Sequence, residues 1–420
     1  MMREIGYSDR VFQLMASKTM YIHILLKEEL ELDALKKAAK RALADFPEFA
    51  VAPVKKNGRF YYIENNREIA FYPADSKARY FGTDETNNYL FYFRYDESSF
   101  VFTFFHGMTD FIGFWAFIRN IVYYYACELG IPVPDISTKK PKIDEEERFD
   151  PYKKYQSSGV EEAAPEIKGE VFHLKNRELP GGLHQYELSI SNEKFLAVAH
   201  EWKTSASSVL AAVLSNAIAE LYDIGDKEVA IKLTVDMRPF FTSQTRVNFS
   251  KSLMLSSSRE DRSAPIAEQA IKFKSIMEKQ MTAEYFSKQI AGVVAKTRAM
   301  SGEIDEPYAT VKTNKRTCTL SYLGRMDFPE GYDGIIKEYH LKGYVDPDAI
   351  RFTAWAAGDR LHLKIDQTFD SNNLAHKVAE ILEQLGLGSE IKDLGRYSID
   401  CYDIGRIRDI GSATKKQANR

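Results

Sequence analysis

The chain has 420 residues, of which 44% are hydrophobic and 28% are charged. This length suits two or three domains, or two similar halves that share an interface, and it is ample for a large core. With 57 basic and 60 acidic residues the formal net charge is −3, so neither nucleic acid nor an anionic membrane surface is expected as a partner.

The three cysteines, Cys127, Cys318 and Cys401, form no C-x-x-C pair and no zinc-type spacing. This usage is typical of scattered thiols in a reducing cytosol. The N-terminus lacks the apolar run of a signal peptide, and the most apolar stretch, residues 111–127, is interrupted by Arg119. We therefore expect a cytoplasmic protein without a membrane span.

The first part of the chain alternates strand and helix signals. Residues 18–27 are apolar at every second position, which predicts a strand, whereas residues 32–46 repeat their apolar side chains at helical spacing until Pro47. Aromatic-rich runs predict three further strands, at residues 59–63, 89–95 and 99–105. A buried helix is predicted at residues 111–129, where Gly130 ends it.

Composition changes at residues 132–169, which contain five prolines and the acidic run 144–147. This stretch predicts a surface crossover linker in which the acidic run is solvated. Beyond it, strands are predicted at 170–174, 185–190, 230–235, 317–323, 352–356 and 361–369, and helices at 192–202, 205–221, 264–300 (broken once) and 374–385. The irregular order favours a layered α/β sandwich over a barrel. We assign an N-terminal half to 1–135, the linker to 136–169, a C-terminal half to 170–410 and a disordered tail to 411–420.

The sharpest chemical signal is His106, which follows a strand of aromatic residues and precedes a helix. Asp110 lies near the start of that helix, where the exposed amides and the helix dipole favour a carboxylate. The bare His-x-x-x-Asp spacing is weak, because His362 and Asp366 repeat it inside a predicted strand, where four residues span about 13 Å. Spacing alone would leave His106 as an ordinary histidine.

The wider context strengthens the signal. The segment from His106 to Gly113 resembles the His-His-x-x-x-Asp-Gly signature of the chloramphenicol-acetyltransferase-like superfamily, which includes acyl-CoA-dependent acyltransferases, peptide-synthetase condensation domains and bacterial alcohol acetyltransferase-like proteins. Three other segments resemble parts of this family in the same order: the helix and Phe-Pro end at 32–49, the Asp-Met-Arg-Pro loop at 235–241 followed by Asn248 and Phe249, and the Ser-Tyr-Leu-Gly strand end at 321–324. The resemblance implies two chloramphenicol-acetyltransferase-like α/β sandwich halves with a tunnel between them.

The resemblance also implies an O- or N-acyltransferase that moves an acyl group from a coenzyme A thioester to a small alcohol or amine. His106 would be the general base, and Ser321 or Tyr322 would donate to the oxyanion. Asp110 would form a structural ion pair with Arg238 from the other half. Acyl-CoA is then a co-substrate, and neither a permanently bound cofactor nor a metal ion is expected.

Two positions depart from the signature. The family's first His is Phe105 here, and its Gly is Phe111, which puts a large ring where the family's backbone lies close to substrate. The ring could narrow the acyl site, turn into the core while Gly113 supplies the clearance, or block the tunnel. Two alternatives therefore stand beside an acyl-CoA enzyme: a condensation-like protein that depends on a carrier protein, and a non-catalytic binding protein.

Overall fold

The computed structural model describes residues 2–6, 19–57, 59–157, 167, 169–174, 180–299, 316–342, 350–397 and 408–410. Its strands are β1 (Met2–Glu4), β2 (Thr19–Leu26), β3 (Val51–Lys56), β4 (Arg59–Glu64), β5 (Phe71–Pro73), β6 (Phe91–Tyr95), β7 (Ser99–Phe105), β8 (Pro180–Ser191), β9 (Val229–Asp236), β10 (Ser250–Ser257), β11 (Cys318–Arg325), β12 (Ile336–Lys342), β13 (Ile350–Ala357), β14 (Arg360–Phe369), β15 (Glu390–Tyr397) and β16 (Arg408–Asp409).

The α-helices of the described ranges are α1 (Leu32–Asp45), α2 (Phe111–Glu128), α3 (Glu145–Phe149), α4 (Pro151–Tyr155), α5 (Asn192–Glu201), α6 (Ala206–Leu221), α7 (Arg238–Phe241), α8 (Arg259–Ser263), α9 (Ile266–Gln280), α10 (Ala283–Ala299) and α11 (Asn373–Gln384). None of these helices is by itself long and apolar enough to cross a membrane; α5 and α6, bent by 93°, meet that requirement only as a pair. The predicted tail at 411–420 lies outside the described residues.

The described strands form three sheets. A five-stranded sheet has the order β12-β2-β7-β6-β5, a seven-stranded sheet has the order β10-β9-β11-β13-β14-β8-β15, and short strands pair as β1-β4-β3-β16. The five-stranded sheet packs on an aromatic core in which the rings of Phe91, Phe102 and Phe117 lie 5.4–5.8 Å apart. The seven-stranded sheet packs on a second, largely aliphatic core with α6 and α11. This confirms the predicted layered α/β architecture.

Most elements form where the sequence periodicity predicts them. Ser205 caps α6 by accepting a hydrogen bond from the Ser208 amide, and the long predicted helix is broken once, between α9 and α10. The strand predicted at 170–174 is wrong, because within it Val171 forms only an isolated bridge, to Glu228. Strands β1, β3, β5, β10, β12, β15 and β16 were not predicted, and neither were the short helices α3, α4, α7 and α8.

One strand from the second half of the chain completes the sheet of the first. In the antiparallel pair of β12 and β2, Tyr339 lies opposite Ile24 and Leu341 opposite Ile22. Lys364 on β14 donates a hydrogen bond from Nζ to the Leu341 carbonyl oxygen. The crossing strand is therefore bound to both large sheets.

The crossover segment also joins the halves. In α3, Glu147 accepts hydrogen bonds from Ser243 Oγ and the Gln244 amide, each at 2.9 Å, and pairs with Lys154 at 2.7 Å. Glu147 is only 5% exposed, so the prediction that the whole acidic run is solvated is wrong at this residue. Its contacts fasten the crossover to the loop after α7.

Candidate active site

His106 lies in the turn between β7 and α2. Its Nδ1 is 3.1 Å from the Thr109 carbonyl oxygen. Because a carbonyl oxygen only accepts, Nδ1 carries the proton in this hydrogen bond and the lone pair of the neutral ring is on Nε2. The second half of the chain also holds this turn, since Asn248 donates from Nδ2 to the His106 carbonyl oxygen at 3.1 Å.

Burial keeps the His106 imidazole neutral. The residue is 8% exposed, and desolvation followed by the field of Arg351 lowers the imidazole pKa to about 4. The hydrogen bond to Thr109 opposes this shift, and Lys232 adds a smaller lowering effect. At neutral pH the ring can therefore accept a proton.

Asp110 connects the His106 turn to the second half. Its Oδ1 lies 2.9 Å from Arg238 Nη2, with both side chains buried. As the N-cap of α2, Asp110 accepts from the Gly113 amide at 3.3 Å, and its other oxygen accepts from the Phe249 amide at 2.8 Å. Donors from both halves thus converge on one carboxylate and fix the turn that carries His106.

Arg238 has a dense set of further partners. Its Nη1 lies 2.7 Å from Asp236 Oδ1, its Nε donates to the Thr245 carbonyl at 2.6 Å, and its Nη2 also donates to the Val247 carbonyl at 2.8 Å. Burial disfavours the charge, but the Asp110 and Asp236 carboxylates hold the pKa of the guanidinium above its usual value. Arg238 is therefore a permanent cation held in a fixed position.

Gly113 lets α2 approach the second half closely. A Cβ at this position would lie 1.9 Å from the Arg246 carbonyl oxygen and 2.2 Å from Thr109 Oγ1. Thr109 Oγ1 donates to that same carbonyl at 2.7 Å. The clearance that Gly113 supplies is thus between α2 and the backbone of the other half.

The Phe111 ring packs among aromatic side chains of the first-half core. Its centroid is 5.1 Å from Phe114, edge to face, and 6.3 Å from Trp115, stacked. Trp115 in turn contacts the rings of Phe328 and Tyr339. Of the three possibilities raised by the sequence, this placement favours a ring turned towards the core.

The structure separates the two predicted oxyanion donors. Ser321 Oγ lies 3.3 Å from Thr234 Oγ1 and 3.4 Å from Arg351 Nη2. Tyr322, the next residue of β11, packs against the core of the second half, because successive side chains of a strand point to opposite faces. Only Ser321 therefore shares a face of the sheet with Arg351, whose field acts on His106.

Sequence reasoning missed Lys232 and Arg351. Each stands between two apolar residues within a strand, which is typical of a sheet with one polar face. That local signal could have shown that both face away from the core, but not that they lie near His106. Among the described residues, no group of three or more His, Cys, Asp or Glu side chains could hold a metal ion.

No protein-family model matches the chain, and no curated protein matches it in sequence. Solved structures match nearly its whole length. TRI101 of F. sporotrichioides, solved with coenzyme A and T-2, has a TM-score of 0.64 at 11% identity, covering 93% of this chain and 99% of that one. The epimerization domain from the third module of tyrocidine synthetase B has a TM-score of 0.62 at 13% identity, with coverages of 92% and 96%.

A third match is the condensation domain from the monacolin K polyketide synthase, with a TM-score of 0.60 at 11% identity and coverages of 92% and 96%. These neighbours have two-lobed folds, as this chain does. At such low identity the likeness concerns the fold. The chain therefore shares the fold of TRI101 and of this condensation domain.

Proposed function

We propose that the protein moves an acyl group from a coenzyme A thioester to a small alcohol or amine. The observation that carries the proposal is His106, a buried and neutral imidazole with its lone pair on Nε2, in a turn held by both halves of the chain. The solved TRI101 complex with coenzyme A supports the choice of donor, because the two chains share a fold over almost their full length.

In the proposed reaction, His106 Nε2 takes the proton of the acceptor O–H or N–H while the acceptor atom bonds to the thioester carbonyl carbon. The carbonyl oxygen becomes an oxyanion, for which Ser321 is the proposed donor. The oxyanion then collapses and the C–S bond breaks. The proton passes from His106 to the sulfur, which leaves as the coenzyme A thiol, so no acyl-enzyme is required.

Asp110, Arg238 and Gly113 have positioning roles in this proposal. The ion pair and the helix cap fix the backbone that follows His106. Close packing at Gly113 sets how near α2 lies to the second half. These residues act through His106 and would not touch the acyl group.

Thiol release tests the proposal, with acetyl-CoA and longer acyl-CoAs offered to a panel of alcohols and amines. We expect His106→Ala to lower kcat by about 10²- to 10⁴-fold while remaining folded by circular dichroism. His200→Ala, which removes an exposed histidine from α5, is the matched control and should retain full activity. Equal activity in the two variants would contradict a role of His106 as the base.

The alternatives separate in the same assay. If the wild type neither turns over any acyl-CoA nor binds coenzyme A, the acyl group is offered on a phosphopantetheine carrier protein. Turnover with that donor alone would favour a carrier-dependent, condensation-type protein, to which the match with the monacolin K domain lends support. No reaction with either donor would indicate a non-catalytic binding protein.

A further inference from the structure

The seven-stranded sheet has one apolar face and one polar face. On the apolar face, Ile231, Leu320 and Phe352 belong to the core of the second half. Their neighbours along each strand point to the opposite face. Strand pairing aligns those neighbours in two rows across β9, β11 and β13: Lys232, Thr319 and Arg351 in one, and Thr234, Ser321 and Thr353 in the next.

Two cations stand at the ends of the first row, on either side of Thr319. Lys232 and Arg351 stand on strands separated by β11, so their Cα atoms are about 10 Å apart, within the combined reach of the two long side chains. Arg351 is 8% exposed. The next strand of the sheet, β14, carries two more charged residues, Lys364 and Asp366. They form an ion pair with each other at 3.1 Å and so add no net charge.

The same two cations act on the candidate base. The fields of Arg351 and Lys232 add to the effect of burial, and together these causes lower the pKa of His106 to about 4. A base of this strength is poorly matched to neutral pH, because general bases work best with a pKa near the working pH. A negative group bound beside the cations would offset their fields and strengthen the base.

We propose that Lys232 and Arg351, with the hydroxyl group of Thr319 between them, bind a carboxylate carried by the substrate. The inference rests on the proposed acyl transfer and names its substrate class. A guanidinium and an ammonium group with an adjacent hydroxyl supply charge-assisted donors to a carboxylate. The carboxylate belongs either to the acceptor, as in a hydroxy acid, or to the acyl group, as in the thioester of a dicarboxylic acid.

Matched substrate pairs distinguish these two sources. Succinyl-CoA is compared with butyryl-CoA using a neutral acceptor, and a hydroxy acid is compared with its amide using acetyl-CoA. In one of the two arms we expect the anionic member to have a kcat/KM at least about tenfold higher, the range of one charge-assisted hydrogen bond. Arg351→Gln should abolish this preference, Lys232→Gln should reduce it, and Arg351→Lys should restore part of it.

Lys392→Gln is the matched control. Lys392 stands on β15, in register with Glu187 of β8, which in turn aligns with Lys364 of β14. Five strand spacings, or about 24 Å, separate β15 from β9. Removing this distant cation should leave the preference for the anionic substrate intact.

Binding without turnover separates a failure of this inference from a failure of the proposed function. Saturation-transfer NMR compares glutarate with glutaramide on the wild type, Arg351→Gln and Lys232→Gln. Binding of glutarate that depends on Arg351, without turnover of any thioester, would support the carboxylate site and refute acyl transfer. Turnover without an anionic preference in either arm, or the absence of Arg351-dependent glutarate binding, overturns the inference.

Discussion

Replacing Asp110 with alanine removes a carboxylate that receives donors from both halves. The variant loses the ion pair with Arg238 and the hydrogen bonds from the Gly113 and Phe249 amides. Removing one partner of a buried ion pair costs about 3–5 kcal/mol, because the other charge stays buried. Asp236 remains 2.7 Å from Arg238 and continues to neutralise it, so we expect a loss of about 3 kcal/mol, at the lower end of that range.

Urea unfolding, followed by tryptophan fluorescence and circular dichroism, measures the free energy of unfolding. Asp236→Ala is the matched control, because it removes the other carboxylate that pairs with Arg238. The Asp236 side chain is 33% exposed and Asp110 remains paired, so this variant should lose only about 1 kcal/mol. A loss in Asp110→Ala no larger than in Asp236→Ala would show that the buried pair does not hold the His106 turn.

Two further changes address packing and pH. Gly113→Ala should destabilise the fold by about 1–3 kcal/mol, because its Cβ would lie 1.9 Å from the Arg246 carbonyl oxygen. Gly334→Ala is the control, because nothing lies within 4 Å of its Cβ. Thermal unfolding of both variants measures the difference, and the control should be nearly neutral. The folded-state pKa of His106, about 4, lies below its ordinary 6.5, so its contribution to stability is complete above pH 6.5 and is lost as the pH falls towards 4. Between those pH values the wild type should lose about 3 kcal/mol more than His106→Gln in urea unfolding, and equal losses would refute the burial argument.

The surroundings of His106 could be predicted because their signals are local. The aromatic alternation of β7 and the apolar periodicity of α2 place His106 between a strand and a helix, as the structure does. The pairing of Asp110 with Arg238 came from family resemblance. Nothing in the spacing of two residues so far apart along the chain indicates that they meet, yet their side chains lie 2.9 Å apart.

The remaining features depend on which strands pair, and sequence periodicity does not specify that. Ser321 and Tyr322 are equally good donors by type, but the register of β11 sends Ser321 towards Arg351 and Tyr322 into the core. Strand β10 was missed because its three apolar residues, Leu253, Met254 and Leu255, form one short run without alternation, flanked by serines with little strand preference. Strand β12 was missed because a register shift between Ile336 and Glu338 breaks the alternation of its apolar residues.

The late strand β12 has a consequence for how the protein is made. When the first half leaves the ribosome, β2 forms an uncovered edge of its sheet, since the strand that covers it has not been synthesised. An uncovered edge is a template for pairing with other chains. The first half therefore cannot complete its sheet until β12 has been synthesised, and a fragment ending in the crossover should aggregate where the intact chain does not.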